Sequence, residues 1–175
     1  ADPKRVGGPV RLAYCWAHWR RQWFDIARSP PAPIAAEVLQ RIAELYQIEA
    51  EIRGEEADTR RAVRQQKSKP LIEALKSWLE EMLRQLPSGS STAKAIRYGF
   101  NQWEGLLHFL DDGRIEIDSN TVERSMRPVA LNRKNALFAG SDEGAENWAM
   151  LASLVETCKL HGINPHAYLT DVLTR

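Results

Sequence analysis

Cysteine is scarce here: Cys15 and Cys158 are the only two in 175 residues. Far apart in sequence, they form no disulfide framework, which suits a reducing compartment. Histidine is nearly as rare. His108, His161 and His166 stand isolated, so no second Cys/His pair completes a zinc site around Cys15 and His18. No apolar run approaches the length needed to cross a bilayer, and the N-terminus has no signal-peptide layout, so no membrane role is expected and the cytoplasm is the expected location. Strong charge of one sign is also missing, since the formal net charge is +1. Strand patterns are almost absent. Only Val10 to Cys15 reads as a short strand, and it has no sheet partner in the chain. That suggests the tail of something larger. There is no internal repeat, low-complexity tract or cofactor box.

What is present is helix. An apolar fraction of 43% with 27% charged residues suits a globular protein, and 175 residues suffice for one domain, or a core with an insertion. Trp16 to Ala27 reads as a helix with Trp16, Trp19, Trp23 and Ile26 at helical spacing. Ser29-Pro30-Pro31-Ala32-Pro33 breaks it. A second helix spans about Ile34 to Arg53, with Val38, Ile42, Leu45, Ile48 and Ile52 on one side. A charged, exposed helical segment is expected from Glu55 to Lys69. Pro70 opens a helix with Leu71, Leu75, Trp78, Met82 and Leu86 facing inward, and one further helix, capped by Ser91 or Thr92, carries Ile96, Phe100, Trp103, Leu107 and Leu110. After Pro128 the chain to Gly140 reads as irregular. A long helix then starts near Ser141 or Asp142, turns Trp148, Leu151, Val155 and Cys158 inward, and stops at Gly162. Asn164-Pro165 caps and opens a terminal helix.

Bases gather in three places: Arg20, Arg21 and Arg28; Arg60, Arg61, Arg64, Lys67 and Lys69; and Arg124, Arg127, Arg133 and Lys134. Brought to one face they would track phosphates; otherwise they are ordinary salt-bridged helix surface. In the third cluster Asn120 is a good helix N-cap, and Glu123, three places on, suits a capping box. Pro128 should end or kink that helix near Arg127. A lone carboxylate among guanidinium groups also suits a place where metal and phosphate meet, because arginine binds phosphate oxygens in a planar fork.

Asp112-Gly113-Arg114-Ile115-Glu116-Ile117-Asp118, Glu123-Arg124, Arg127-Pro128-Val129-Ala130, Arg133-Lys134-Asn135 and Phe138-Ala139-Gly140-Ser141 together resemble the insertion-sequence 66 family of bacterial transposases. The likeness extends over nearly the whole chain, from Gly7 to Leu173. It implies a mainly α chain: the helical insertion and C-terminal helices of a ribonuclease-H-like D-D-E core, with at most one or two short strands. The implied parts are a core remnant over 1–29, the insertion over 30–110, the last catalytic-acid segment over 111–140 and a C-terminal helical element over 141–175. It assigns Glu123 as the last acid of the triad and a metal ligand. Cys15 and His18 match a C-x-x-H pattern that supports the core, followed by Arg20, Arg21 and Phe24. Arg124, Arg127, Arg133, Lys134, Arg20 and Arg21 become candidate DNA contacts. Magnesium, double-stranded transposon-end DNA and a homo-oligomeric full-length protein are implied for the complete enzyme.

The first two aspartates of the triad have no match here, and Asp2, Asp25, Asp111 and Asp112 fit neither place. One carboxylate cannot hold two magnesium ions, so this chain alone is expected not to cut or join DNA. Two other readings are a non-catalytic helical DNA-binding or dimerisation module, and a small metal-dependent nuclease using Glu116, Asp118 and Glu123. Helix and strand geometry point those three acids in different directions, which weighs against the nuclease.

Overall fold

A computed structural model describes residues 11–135 and 140–175, the side chains of 129 and 132–135 excepted. The described chain is mainly α, without a strand. Its helices are α1 (Trp16–Ala27), α2 (Pro33–Glu51), α3 (Ala57–Val63), α4 (Lys69–Gln85), α5 (Ser91–Asn101), α6 (Trp103–Asp111), α7 (Asn120–Asn135), α8 (Asp142–Leu160) and α9 (Pro165–Thr174), with a π-helical turn at Arg64–Ser68 between α3 and α4. They fall into two compact units, Ala1–Ser119 and Asn120–Arg175. None is long and apolar enough to cross a membrane among the described residues.

The first unit is built around α1. Its three tryptophans, Trp16, Trp19 and Trp23, recur at intervals of three and four residues, share one helix face and are fully buried. Trp19 meets Trp103 edge to face with ring centroids 6.0 Å apart, and Trp16 meets Phe109 likewise at 6.3 Å. A buried indole must place its N–H. Trp16 Nε1 donates to the Leu106 carbonyl and Trp19 Nε1 to the Ala95 carbonyl, each at 2.9 Å. Gly99 permits this approach, since a Cβ there would overlap the Trp19 ring. Val38, Ile42 and Leu45 of α2 and Ile72, Leu75 and Leu79 of α4 close the same core. Burying each such side chain stabilises the fold by about 1.5–3 kcal/mol before the opposing loss of entropy.

Several expectations change on contact with the structure. Arg11 to Cys15 forms no strand, and Val10 lies outside the described residues; the Tyr14 N–H instead donates to the Gly105 carbonyl of α6 at 3.0 Å. The stripe from Ile96 to Leu110 is carried by two helices, because the chain breaks at Gln102, whose N–H caps α5 on Gly99. On α4 the deepest residues are Ile72, Leu75 and Leu79, while Leu71, Trp78, Met82 and Leu86 flank them half-buried. Ser90 caps α5, one residue before the expected cap, by accepting from the Ala93 N–H at 3.2 Å. The segment expected to be exposed after Glu55 holds Arg64 and Ser68 fully buried.

In the second unit α7 continues through Pro128 to Asn135 instead of ending near Arg127. A proline mid-helix removes one hydrogen bond but leaves the helical φ of its own residue undisturbed. Residues 129–135 are therefore helical, not irregular. Ser141 caps α8 by accepting from the Gly144 N–H at 3.0 Å. Gly162, at φ +67°, ends it, with the Ile163 N–H returning to the Cys158 carbonyl at 2.8 Å. Asn164 Oδ1 then accepts from the N–H groups of His166 and Ala167 and starts α9. Of the α8 residues expected to face inward only Cys158 is buried; Trp148 and Leu151 are exposed.

Candidate functional site

Glu123 lies in the first turn of α7 and its side chain is exposed. Carboxylates favour this position because the amides of a helix start carry partial positive charge. Arg124 and Arg127 follow on the same helix, both exposed, and Arg124 Nη2 donates to Thr121 Oγ1 at 3.3 Å. The side chains of Arg133 and Lys134 lie outside the described residues, although the α7 backbone reaches both. The second unit therefore offers an exposed acid with two exposed guanidinium groups within four residues.

In the first unit Arg20 and Arg21 are exposed on α1, and His18 is exposed one turn earlier. Cys15 stands just ahead of α1. Its Sγ accepts from the Ser119 N–H at 3.3 Å, and its carbonyl accepts from the His18 N–H at 3.2 Å. The neighbouring Trp16 N–H donates to the Ile117 carbonyl at 3.1 Å. Cys15 and Trp16 thus hold Ser119 and Ile117, one by its thiol and the other by its backbone N–H.

Tyr46 of α2 was given no part by the sequence. Burial, followed by the nearby Asp118 carboxylate, pushes its phenol well above the ordinary range, so it stays protonated. Glu116 is committed elsewhere. Both its oxygens accept from Arg60, at 2.8 Å each, and this pairing holds its carboxyl below the usual value. Asp112 is pulled down to about 2 by hydrogen bonds from Arg114.

Three bases of the second cluster are engaged within the protein, while Arg61 and Lys69 are exposed. Arg64 is fully buried, Arg60 is bound to Glu116 and Glu49, and Lys67 pairs with Glu51 at 2.8 Å. Acidic partners supplied by α2 and by the turn after α6 account for this, and residue spacing within the cluster does not reveal them.

Comparison with known proteins gives a consistent result. Residues 4–147 match the model described as Transposase IS66 family, and residues 153–175 match the one described as IS66 C-terminal element. The uncharacterized protein y4jD of Sinorhizobium fredii is 48% identical over 172 residues, covering 98% of this chain and 34% of that protein. The uncharacterized proteins y4qI and y4hP of the same organism are 44% and 41% identical, each covering 95% of this chain and 31% and 32% of their own lengths. The chain spans about a third of the length of these curated relatives. No solved structure matches.

Proposed function

The chain belongs to the IS66 family of transposases, and from that premise we propose that it is the C-terminal portion of a D-D-E enzyme that cleaves and transfers DNA strands. Glu123 supplies the last of three metal-binding acids. Arg124 and Arg127, with Arg133 and Lys134 further along α7, contact the phosphates of transposon-end DNA, and Arg20 and Arg21 add phosphate contacts from α1. Cys15 and His18 support the core. The observation that carries this reading is the exposure of Glu123 in the first turn of α7, with Arg124 and Arg127 exposed on the same helix.

A single carboxylate provides part of a magnesium site, not the whole of one, because magnesium takes its oxygens from several groups. Glu123 fits as one ligand. When bound by a complete set, magnesium would stabilise the charge that builds on the attacking and leaving oxygens of phosphoryl transfer. The remaining acids, and the oligomer that brings two DNA ends together, would be supplied by the longer protein.

Salt titration with a labelled transposon-end duplex tests the DNA part. Removing one basic side chain from a phosphate lowers the slope of log affinity against log salt by about 0.9. Arg124→Ala with Arg127→Ala should therefore lower it by about 2 and weaken binding uniformly across sequences. An unchanged slope in the double variant removes these residues from the interface. Absence of binding at low salt removes all of these phosphate contacts from this chain.

A further inference from the structure

The core fixes one face of α1 and leaves the other outside. Trp16, Trp19 and Trp23 are fully buried, and the indole N–H groups of Trp16 and Trp19 are tied to the Leu106 and Ala95 carbonyls at 2.9 Å each. The outer face carries Arg20, Arg21, Phe24 and Arg28, all exposed. Residues three and four apart are neighbours on a helix, so Phe24 has Arg20 and Arg21 on the turn before it and Arg28 on the turn after. Arg20 and Arg28 stand about 12 Å apart along the axis.

One exposed aromatic ring is ordinary on a protein surface. Phe24, 52% exposed, is set apart by its company. Arg60, Arg64 and Lys67 of the second basic cluster are bound to acids. Among the described residues, Arg20, Arg21 and Arg28 have no ion pair. Nor does a guanidinium or a second ring cover Phe24 among those residues, although Arg41 lies over Trp78 at 4.8 Å. Asp25, the acid within this stretch, lines a cavity with Ser91 and Thr92 at the start of α5.

Three exposed cations around a bare ring match a chain of phosphates with a base in its midst. In a duplex the faces of the bases stack on one another, and only their edges reach the grooves. A phenyl ring cannot read an edge by hydrogen bonding. What it offers is a flat apolar face, and the base that fits it is one without a paired strand. We propose that the outer face of α1 is a seat for unpaired DNA, with Phe24 stacked on a base that has left its pair and Arg20, Arg21 and Arg28 on the phosphates to either side. The proposal rests on the reading of Arg20 and Arg21 as phosphate contacts. To that reading it adds Arg28, one base and a preference for separated strands, all within the first unit.

The test titrates this chain, without added metal, with a labelled single strand and with the same strand fully paired. Phe24→Ala should weaken single-strand binding about tenfold, the scale of one base stacked on an aromatic side chain, and change duplex binding less than about twofold. Phe24→Trp should bind single strands at least as well as the unchanged chain. Phe24→Leu should not, because leucine is apolar without a flat face. Phe24 is no part of the buried core, so all three variants should keep the urea midpoint of the unchanged chain. Arg28→Ala should lower the slope of log affinity against log salt for the single strand by about 0.7. Absence of single-strand binding at low salt overturns the proposal, as does full binding by Phe24→Ala or Phe24→Leu, or an equal loss on the duplex. Arg20→Ala with Arg21→Ala separates the two readings. An unchanged salt slope there overturns the phosphate contacts and the seat together. A slope lowered by about 1.4, beside a Phe24→Ala that binds as before, overturns the seat alone.

Discussion

At the scale of the residue, the pair Arg60–Glu116 shows how charge is used in this protein. Glu116 is held below its ordinary value near 4.5 first by the hydrogen bonds from Arg60, against a smaller opposing effect of burial. The folded state therefore binds that proton less readily than the unfolded chain. The resulting stability is fully present above about pH 4.5 and is lost as the pH falls through the lower, folded value. The Glu116 side chain is 56% exposed, so solvent screening keeps the effect to no more than about 1 kcal/mol. Urea midpoints between pH 7 and pH 3 should fall less steeply in Arg60→Met than in the unchanged chain. An identical acid slope in the two would mean that other carboxylates carry it. Neither this pair nor Arg64 was legible beforehand. A run of bases looks the same whether acids from distant segments fold over it or water does, and Glu49 stands 15 residues from Arg64 while Glu116 stands 56 from Arg60.

At the scale of the element, the readable features were those with a local cause. The limits of α1 follow from three tryptophans on one face and a run of prolines behind them. The junction from α8 to α9 follows from Gly162 in the left-handed region and from Asn164 ahead of a proline. The features that escaped notice depend on what a helix touches. The apolar stripe from Ile96 to Leu110 keeps helical period across Gln102, so its break cannot be seen in the pattern. Pro128 stands inside α7 although the same residue type ends helices elsewhere, and the π turn leaves no mark in composition. Packing of α1 on α5 also sets a prediction. Trp19→Phe keeps a ring in the core but leaves the Ala95 carbonyl without the indole N–H and opens the space beside Gly99. A loss of about 2–4 kcal/mol is expected from the cavity and the missing hydrogen bond together, read as a lower unfolding midpoint with an unchanged denaturant slope. Gly99→Ala in the Trp19→Phe background should recover part of it.

At the scale of the whole molecule, the two units differ in how well each encloses its own apolar surface. The first has one core shared by α1, α2, α4, α5 and α6. In the second, Val122, Met126, Leu131, Met150, Leu160, Ile163 and Leu173 are all exposed, and Cys158 is the one buried residue among those described. The order of motifs singles out Glu123, Arg124 and Arg127, and all three are exposed on one helix. What sequence could not say is which cations face solvent, since that depends on where the acids of α2 arrive. In-line transfer on DNA requires cations held by several carboxylates, and of the acids ahead of α7 Glu116 is bound to Arg60 while Asp112 is bound to Arg114. Incubated with transposon-end DNA and magnesium, this chain should bind the duplex in a salt-dependent manner and yield no nicked or joined product. A nick that disappears in Glu123→Gln would mean that the chain assembles a working metal site from its own residues.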